Sequence, residues 1–239
     1  MNHGDLGIVV AMATEARALT PLRPVPNQVA EIAPGVHLVL CGIGPRAAGN
    51  AARVLLDSGV RALAVLGVAG GLDPRFGSGE LLVPNELVDD AGSRFAADPA
   101  WRARLVAVLA GRCRAETLLT VREPLLTPRA KAEARQRHGA SAVDMEGAAV
   151  AQIAWQYEVP FLMVRAVADT ALHVIPPALA GTVDRFGRPR PRALLAAMAR
   201  RPALLLCLPG LARSMSRSME ALRQVVRLAG PGLAWDRAA

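Results

Sequence analysis

Short apolar runs alternate with helical or turn-rich stretches along this chain, and that alternation restricts the fold more than any other feature. The runs are LGIVVAM (residues 6–12), VHLVLCGIG (36–44), RALAVLGVAGGL (61–72), ETLLTV (116–121) and PFLMVRAVAD (160–169). Between them, PRAAGNAARVLLDSG (45–59) and PAWRARLVAVLAGR (99–112) read as helices, the first closed by Gly59. GELLVPNELVDD (79–90) reads as strand and bend. Alternation of this kind predicts an α/β fold with helices covering a central sheet. No fixed-period repeat is present. The turn-rich DRFGRPRPR (184–192) marks a boundary. It divides a body over residues 1–185 from a basic helical extension over residues 186–239.

Polar and glycine-rich features fall where the runs end: Glu15, GIGPR, GVAGG and Asp169. Ligands in open α/β sheets bind outside the carboxyl ends of strands, so separate segments point to one rim. CGIGPRA carries G-x-G-x-x-A at Gly42, Gly44 and Ala47. A dinucleotide site also needs an acid at the end of the next strand. That strand ends at Gly67 and Val68, which argues against a nicotinamide cofactor. Backbone N–H groups at a helix N-terminus still suit an anion, with Arg46 beside them. A tight turn with a solvated arginine fits the same residues. In GVAGG, Gly67, Gly70 and Gly71 allow close backbone approach to a ligand or make a plain turn.

The stretch AVDMEGAAV places Asp144 and Glu146 in an otherwise small, apolar run. Carboxylates are costly to bury without partners, so this stretch is a candidate site. The four histidines are scattered without ligand spacing, and no metal is expected. No G-x-S-x-G elbow or Cys/His pairing occurs. The chemistry therefore falls to Glu15, Asp144, Glu146 and Asp169, although a lone acid at a strand end also serves as a cap.

Net charge is +8 and aromatic residues make up 3%. The charge suggests an anionic partner, but the scarcity of stacking side chains argues against nucleic acid. The three cysteines form no CxxC pair, so a reduced, cytoplasmic setting is expected. No basic-then-apolar leader opens the chain. The longest apolar run, PALLLCLPGLA (202–212), is too short to span a bilayer.

GIVVAMATEARAL, CGIGPRAAGNAARVLL, LGVAGGLDPRFGSGELLVP and AVDMEGAAVAQIAWQYEVPFLMVRAVADTA together resemble the nucleoside phosphorylase/nucleosidase family. They stand in that family's order and cover most of residues 6–172. The general likeness is to methylthioadenosine/S-adenosylhomocysteine nucleosidases. The tail IPPALAGTVDRFGRPRPRALLAAMARRPALLLCLPGLARS instead resembles the hopanoid-biosynthesis-associated phosphorylase branch, which is believed to act on adenosylhopane, a triterpenoid lipid carrying adenosine.

The resemblance implies a three-layer fold with a mixed central sheet and a C-terminal helical extension. It implies N-glycosidic cleavage releasing adenine, with inorganic phosphate or water as ribosyl acceptor, no further cofactor, and a homo-oligomer. Glu146 matches the ribose-binding glutamate and Met145 the residue packed on the sugar. Gly70 lies in the substrate-binding glycine turn. Asp169 matches the general acid at the purine, and Glu15 the glutamate that activates water. Leu125 and Leu126 align with the segment that sandwiches the base, where an aromatic face is missing. Arg46 and Arg17 are the phosphate-binding candidates. Asp144 stands where many relatives carry Glu. Ala168 and Val68 replace serines, and Arg46 a lysine, of the nucleosidases. A methylthioadenosine/S-adenosylhomocysteine nucleosidase and a non-catalytic nucleoside-binding or membrane-associated scaffold are the rival readings.

Leu211, Met215, Met219, Leu222, Val226 and Ala229 form one stripe at helical period, with Arg213, Arg217, Arg223 and Arg227 opposite. Such a helix either packs its stripe on the body or lies on an anionic membrane surface. The second alternative implies a peripheral location at the inner face of the membrane.

Overall fold

The structure, a computed structural model, describes residues 4–236. Its elements begin with β1 (Leu6–Val10), α1 (Ala13–Leu19), β2 (Ala30–Ala33), β3 (Val36–Leu40), α2 (Pro45–Asp57) and β4 (Ala62–Gly71). There follow β5 (Leu81–Leu82), β6 (Glu86–Asp89), β7 (Arg94–Ala96), α3 (Pro99–Leu109), β8 (Cys113–Arg114) and β9 (Leu118–Thr120). The chain continues through α4 (Pro128–His138), β10 (Ala142–Asp144), α5 (Gly147–Gln156) and β11 (Phe161–Asp169). A 3₁₀ turn (Pro177–Thr182), α6 (Pro191–Arg200) and α7 (Leu204–Ala229) complete it.

The long runs of the sequence are β1, β3, β4 and β11, packed side by side. β1 pairs in parallel with β3 and β4, and β11 in parallel with β4. Strands buried on both faces read as near-continuous apolar runs. The sheet is mixed: β10 pairs antiparallel with the last residues of β4, Gly70 and Gly71, and in parallel with β9. The short strands β2, β7, β8 and β10 carry too few residues to show a period, and the sequence reading does not separate them.

Alternation along the strands makes a three-layer sandwich. Ile8, Val10, Ala64, Leu66, Leu162 and Val164 face a core shared with α1, α3 and α7. Val9, Leu63, Val65, Met163 and Val167 face the opposite core, covered by α2 and α5. α2 starts at Gly44, whose φ of 108° needs glycine, and carries Pro45 at its first turn. Its small face, Ala48, Ala51 and Ala52, lies flat on the sheet.

The apolar stripe of α7 belongs to the body. Met219 and Leu222 are buried, with Met215 and Val226 partly so, and the buried face also includes Val225, Ser214 and Ser218. Ser218 Oγ donates to the Val167 carbonyl at 2.7 Å, and its small size brings the helix close to β11. Beyond α7, Trp101 Nε1 donates to the Leu233 carbonyl at 2.8 Å, and Trp101 packs on Trp235 at 4.7 Å between centroids. Of the two alternatives for this stripe, packing on the body is the one the fold adopts, and the membrane alternative is corrected: the stripe faces the sheet, where it gains burial within the same chain.

Leu222→Ala is expected to lower stability by about 2–5 kcal/mol through the cavity left behind. Leu206→Ala on the same helix, 86% exposed, should change it by no more than about 0.5 kcal/mol. Chemical denaturation of the two variants checks both. Removal of residues 210–239 should abolish the cooperative melt altogether.

Candidate active site

The carboxyl ends of β1, β4, β10 and β11 open into one pocket of about 180 Å³. Glu15, Gly70, Leu125, Met145, Glu146 and Asp169 line it together, with Ile43, Val68, Val121 and Ile175. Three strand ends thus deliver four acids, Glu15, Asp144, Glu146 and Asp169, to one cavity.

Glu15 sits in the first turn of α1 and is 1% exposed. Its Oε2 accepts the N–H groups of Ala11 (3.0 Å) and Met12 (2.8 Å), and Oε1 accepts that of Val68 (2.9 Å). The side chain closes its own helix and bridges to β4. Burial pushes its pKa up, against the pull of Arg165 and the three backbone N–H groups.

Asp144 ends β10, and Glu146 is the residue before α5. Asp144 accepts from Thr120 Oγ1 at 2.6 Å and from the Gly147 N–H at 2.8 Å. It also pairs with the guanidinium of Arg165, which is fully buried in the middle of β11. Arg165 Nη2 lies 3.6 Å from Glu146 Oε2. Glu146 Oε1 accepts the Gly44 N–H at 2.8 Å, tying the acidic stretch to the turn before α2. Asp144 is thus the structural partner of Arg165, and Glu146 is the acid presented to the cavity.

One guanidinium faces three carboxylates. Burial works against the charge of Arg165, but Asp144, Glu146 and Glu15 together outweigh it and hold the group protonated. Glu146 is pushed up to about 7, chiefly by burial; Arg165 opposes this and Asp144 adds to it. Gly67 is required at this point: a Cβ there would overlap the Arg165 guanidinium and the Glu15 carboxylate. The neighbouring Cys41 thiol is held far above its usual range, by burial first and by Glu146 and Glu15 next, so it is no nucleophile.

Asp169 ends β11 just after an irregularity in the register with β4, which sets it opposite Gly70. Such a bulge re-aims a side chain. A Cβ on Gly70 would lie 3.3 Å from Asp169 Oδ2, so the glycine keeps the approach open. Oδ2 is held by Lys131, the only lysine in the chain and fully buried. Lys131 Nζ also donates to the Thr170 carbonyl at 2.8 Å and reaches that of His173 at 3.5 Å.

The remaining candidates lie elsewhere. Arg46 lines an adjoining hollow of about 530 Å³ with Gly44, Asn50 and Arg185, and Ile43 borders both spaces. Arg17 lines a separate hollow with Thr14, Arg23 and Arg188. Two residues past Glu15, it projects from the far side of α1. Leu126 is not among the pocket-lining residues; its carbonyl accepts the Ile175 N–H at 2.9 Å. Among the described residues no cluster of His, Cys, Asp and Glu could hold a metal ion.

Sequence reasoning did not single out Arg165 or Lys131. Each carried a signal: a lone arginine inside an apolar strand, and a single lysine in an arginine-rich chain.

Comparison with known proteins places this geometry. A family model described as the phosphorylase superfamily matches residues 5–187. The 5′-methylthioadenosine/S-adenosylhomocysteine nucleosidase of Mycobacterium tuberculosis is 29% identical over 178 aligned positions, covering 57% of this chain and 70% of the relative. Among solved structures, the nucleosidase of the same name from Neisseria meningitidis, in complex with methylthio-immucillin-A, superposes with a TM-score of 0.69. It is 18% identical and covers 97% of this chain and 98% of its own. The futalosine hydrolase of Helicobacter pylori superposes at 0.65, with 19% identity over 94% of this chain and 98% of its own. These structures share the mixed sheet and flanking helices.

Two outcomes follow from the buried charges. Arg165→Met leaves Asp144 and Glu146 without their cation and should cost about 3–5 kcal/mol of stability, read by denaturation. The fold raises the Glu146 pKa from its ordinary 4.5 to about 7, so the neutral acid is the form the fold favours. Its contribution to stability is full below pH 4.5 and is lost as pH rises through 7. Glu146→Gln should flatten that decline in melting temperature.

Proposed function

The chain belongs to the phosphorylase superfamily and is an enzyme of it, and from that footing we propose that it cleaves the N-glycosidic bond of an adenosine-bearing substrate and releases adenine. The observation that carries this reading is the meeting of Glu15, Glu146 and Asp169 around one cavity with Met145 beside them. Glycosidic cleavage passes through an oxocarbenium-like sugar, and a cluster rich in buried carboxylate favours that cation.

Each group has a task in this scheme. Glu146, anchored by the Gly44 N–H, accepts hydrogen bonds from the ribose hydroxyls and stabilises the developing charge. Met145 packs on the sugar. Asp169 offers the purine N7 the oxygen that Lys131 does not hold. Asp169 delivers a proton to N7 as the bond breaks, and the base departs uncharged.

Two acceptors fit the far face of the sugar. Phosphate would sit at the N-terminus of α2 beside Arg46. Water would be activated by Glu15. The buried Glu15 carboxylate repels a phosphate dianion, Arg17 points elsewhere and Arg165 is committed to Asp144, so the site favours water.

Two of the named relatives carry methylthioadenosine and S-adenosylhomocysteine in their names, and the third carries futalosine. The tail resemblance supports a lipid-borne adenosine, such as adenosylhopane, met at a membrane surface. The apolar rim of Val121, Leu125 and Ile175 accords with it. Adenine release from adenosylhopane and from methylthioadenosine, each with and without phosphate, tests substrate and acceptor together. Release from neither substrate refutes the reading.

Asp169→Asn should lower adenine release by about 10²–10⁴ while the fold survives, since an amide cannot pass on a proton. Lys131→Met should slow purine substrates in the same way yet spare a nitrophenyl riboside, whose leaving group needs no proton. Glu146→Gln should reduce kcat more than it raises KM, because its charge matters most once the ribose is cationic.

A further inference from the structure

We propose that α6 and the first turns of α7 form a docking surface for an anionic lipid bilayer. The observation is one of segregated charge. From Asp184 to Glu220 there is no intervening acidic residue, while eight arginines lie between them. That number equals the net charge of the whole chain, so the rest of the protein is balanced. All eight are exposed; Arg185 and Arg188 stack on the Phe186 ring, while Arg190, Arg192, Arg200 and Arg201 belong to α6 or its two caps and supply the charge of this surface. Arg223 and Arg227, farther along α7, both pair with Glu220 and are not part of this surface.

Aliphatic side chains stand among these charges. Leu195 on α6 is 62% exposed, and Leu205 and Leu206 at the start of α7 are 57% and 86% exposed. α6 has no buried residue at all. Packing within the chain therefore gives no reason for Leu195, in contrast to the buried leucine and methionine in the later part of α7. Exposed leucines on the same segment as exposed arginines match a headgroup layer above acyl chains. Among the described residues no helix is long and apolar enough to cross a membrane, so the contact is peripheral.

The other occupants fit less well. A nucleic-acid strand needs aromatic stacking, and the projecting residues are aliphatic. A second copy docked through the same face would set two groups of arginines against each other. The surface also leads toward the cavity. The 3₁₀ turn Pro177–Thr182 packs on α6, and the residues before it, Leu172 and Val174, are 73% and 57% exposed. They flank Ile175, which lines the catalytic pocket. Docking here brings the pocket mouth near the lipid.

Co-sedimentation of the full chain with vesicles tests the proposal independently of catalysis. Vesicles of phosphatidylcholine mixed with phosphatidylglycerol should carry the protein down, and phosphatidylcholine alone should not. Added salt should weaken the binding by screening. The combined variant Leu195→Ser, Leu205→Ser, Leu206→Ser should lower the bound fraction about tenfold or more. Arg200→Glu with Arg201→Glu should do the same. Both variants should melt like the parent and release adenine from a soluble nucleoside at the parent rate. No binding to the anionic vesicles, or binding that ignores both variants, overturns the surface. So does a dimer in the parent that the leucine variant dissociates, because the patch is then an interface between copies.

Discussion

Everything near the catalytic cavity depends on the buried guanidinium of Arg165. It stands in the middle of a strand that is otherwise apolar, and it has no route to water. An isolated charge in that position would be prohibitive, so carboxylates must surround it. Asp144 neutralises it directly and is itself held by Thr120 and Gly147. That arrangement sets the end of β10 against β11, and it places Glu146 and Glu15 within the same field. Gly67 has to be glycine so that the cluster can press against β4. The pair is costly to assemble and costlier to break, which makes it a positional lock rather than a source of net stability.

With Arg165 neutralised by Asp144, the burial of Glu146 and Glu15 without a cation of their own leaves the cavity an appetite for positive charge. A substrate that becomes cationic at the sugar satisfies that appetite only in the transition state, which is where binding accelerates a reaction. Lys131 and Asp169 form a second, separate pair. Under the proposed function the two pairs divide the work: one manages charge at the sugar, the other at the base.

The outer surface is organised by a different separation. Within α7 the later turns bury Met219, Leu222 and Val225 on the sheet, while the first turns expose Leu205 and Leu206. One helix therefore serves the core at one end and the solvent at the other. Apolar residues at both ends of the helix conceal this, because leucine is equally suited to a core and to a lipid surface.

The sequence by itself determined the α/β class, the four central strands and the rim where their ends converge. Long apolar runs have few other uses, and acids placed beside glycines at strand ends are visible without coordinates. Glu15, Glu146, Met145, Gly70, Leu125 and Asp169 could be named from these local patterns and the family resemblance, and the fold brings them to one cavity. Tertiary structure alone decided their partners. Lys131 meets Asp169 across 38 residues, Arg165 meets Asp144 across 21, and the Gly44 N–H meets Glu146 across 102. It also decided that Arg17 turns away and that the α7 stripe faces inward. Periodicity shows which residues share a face of an element. Which neighbour covers that face, and which buried charge finds its counter-ion, depends on strand order and desolvation, and these exist only once the chain has packed.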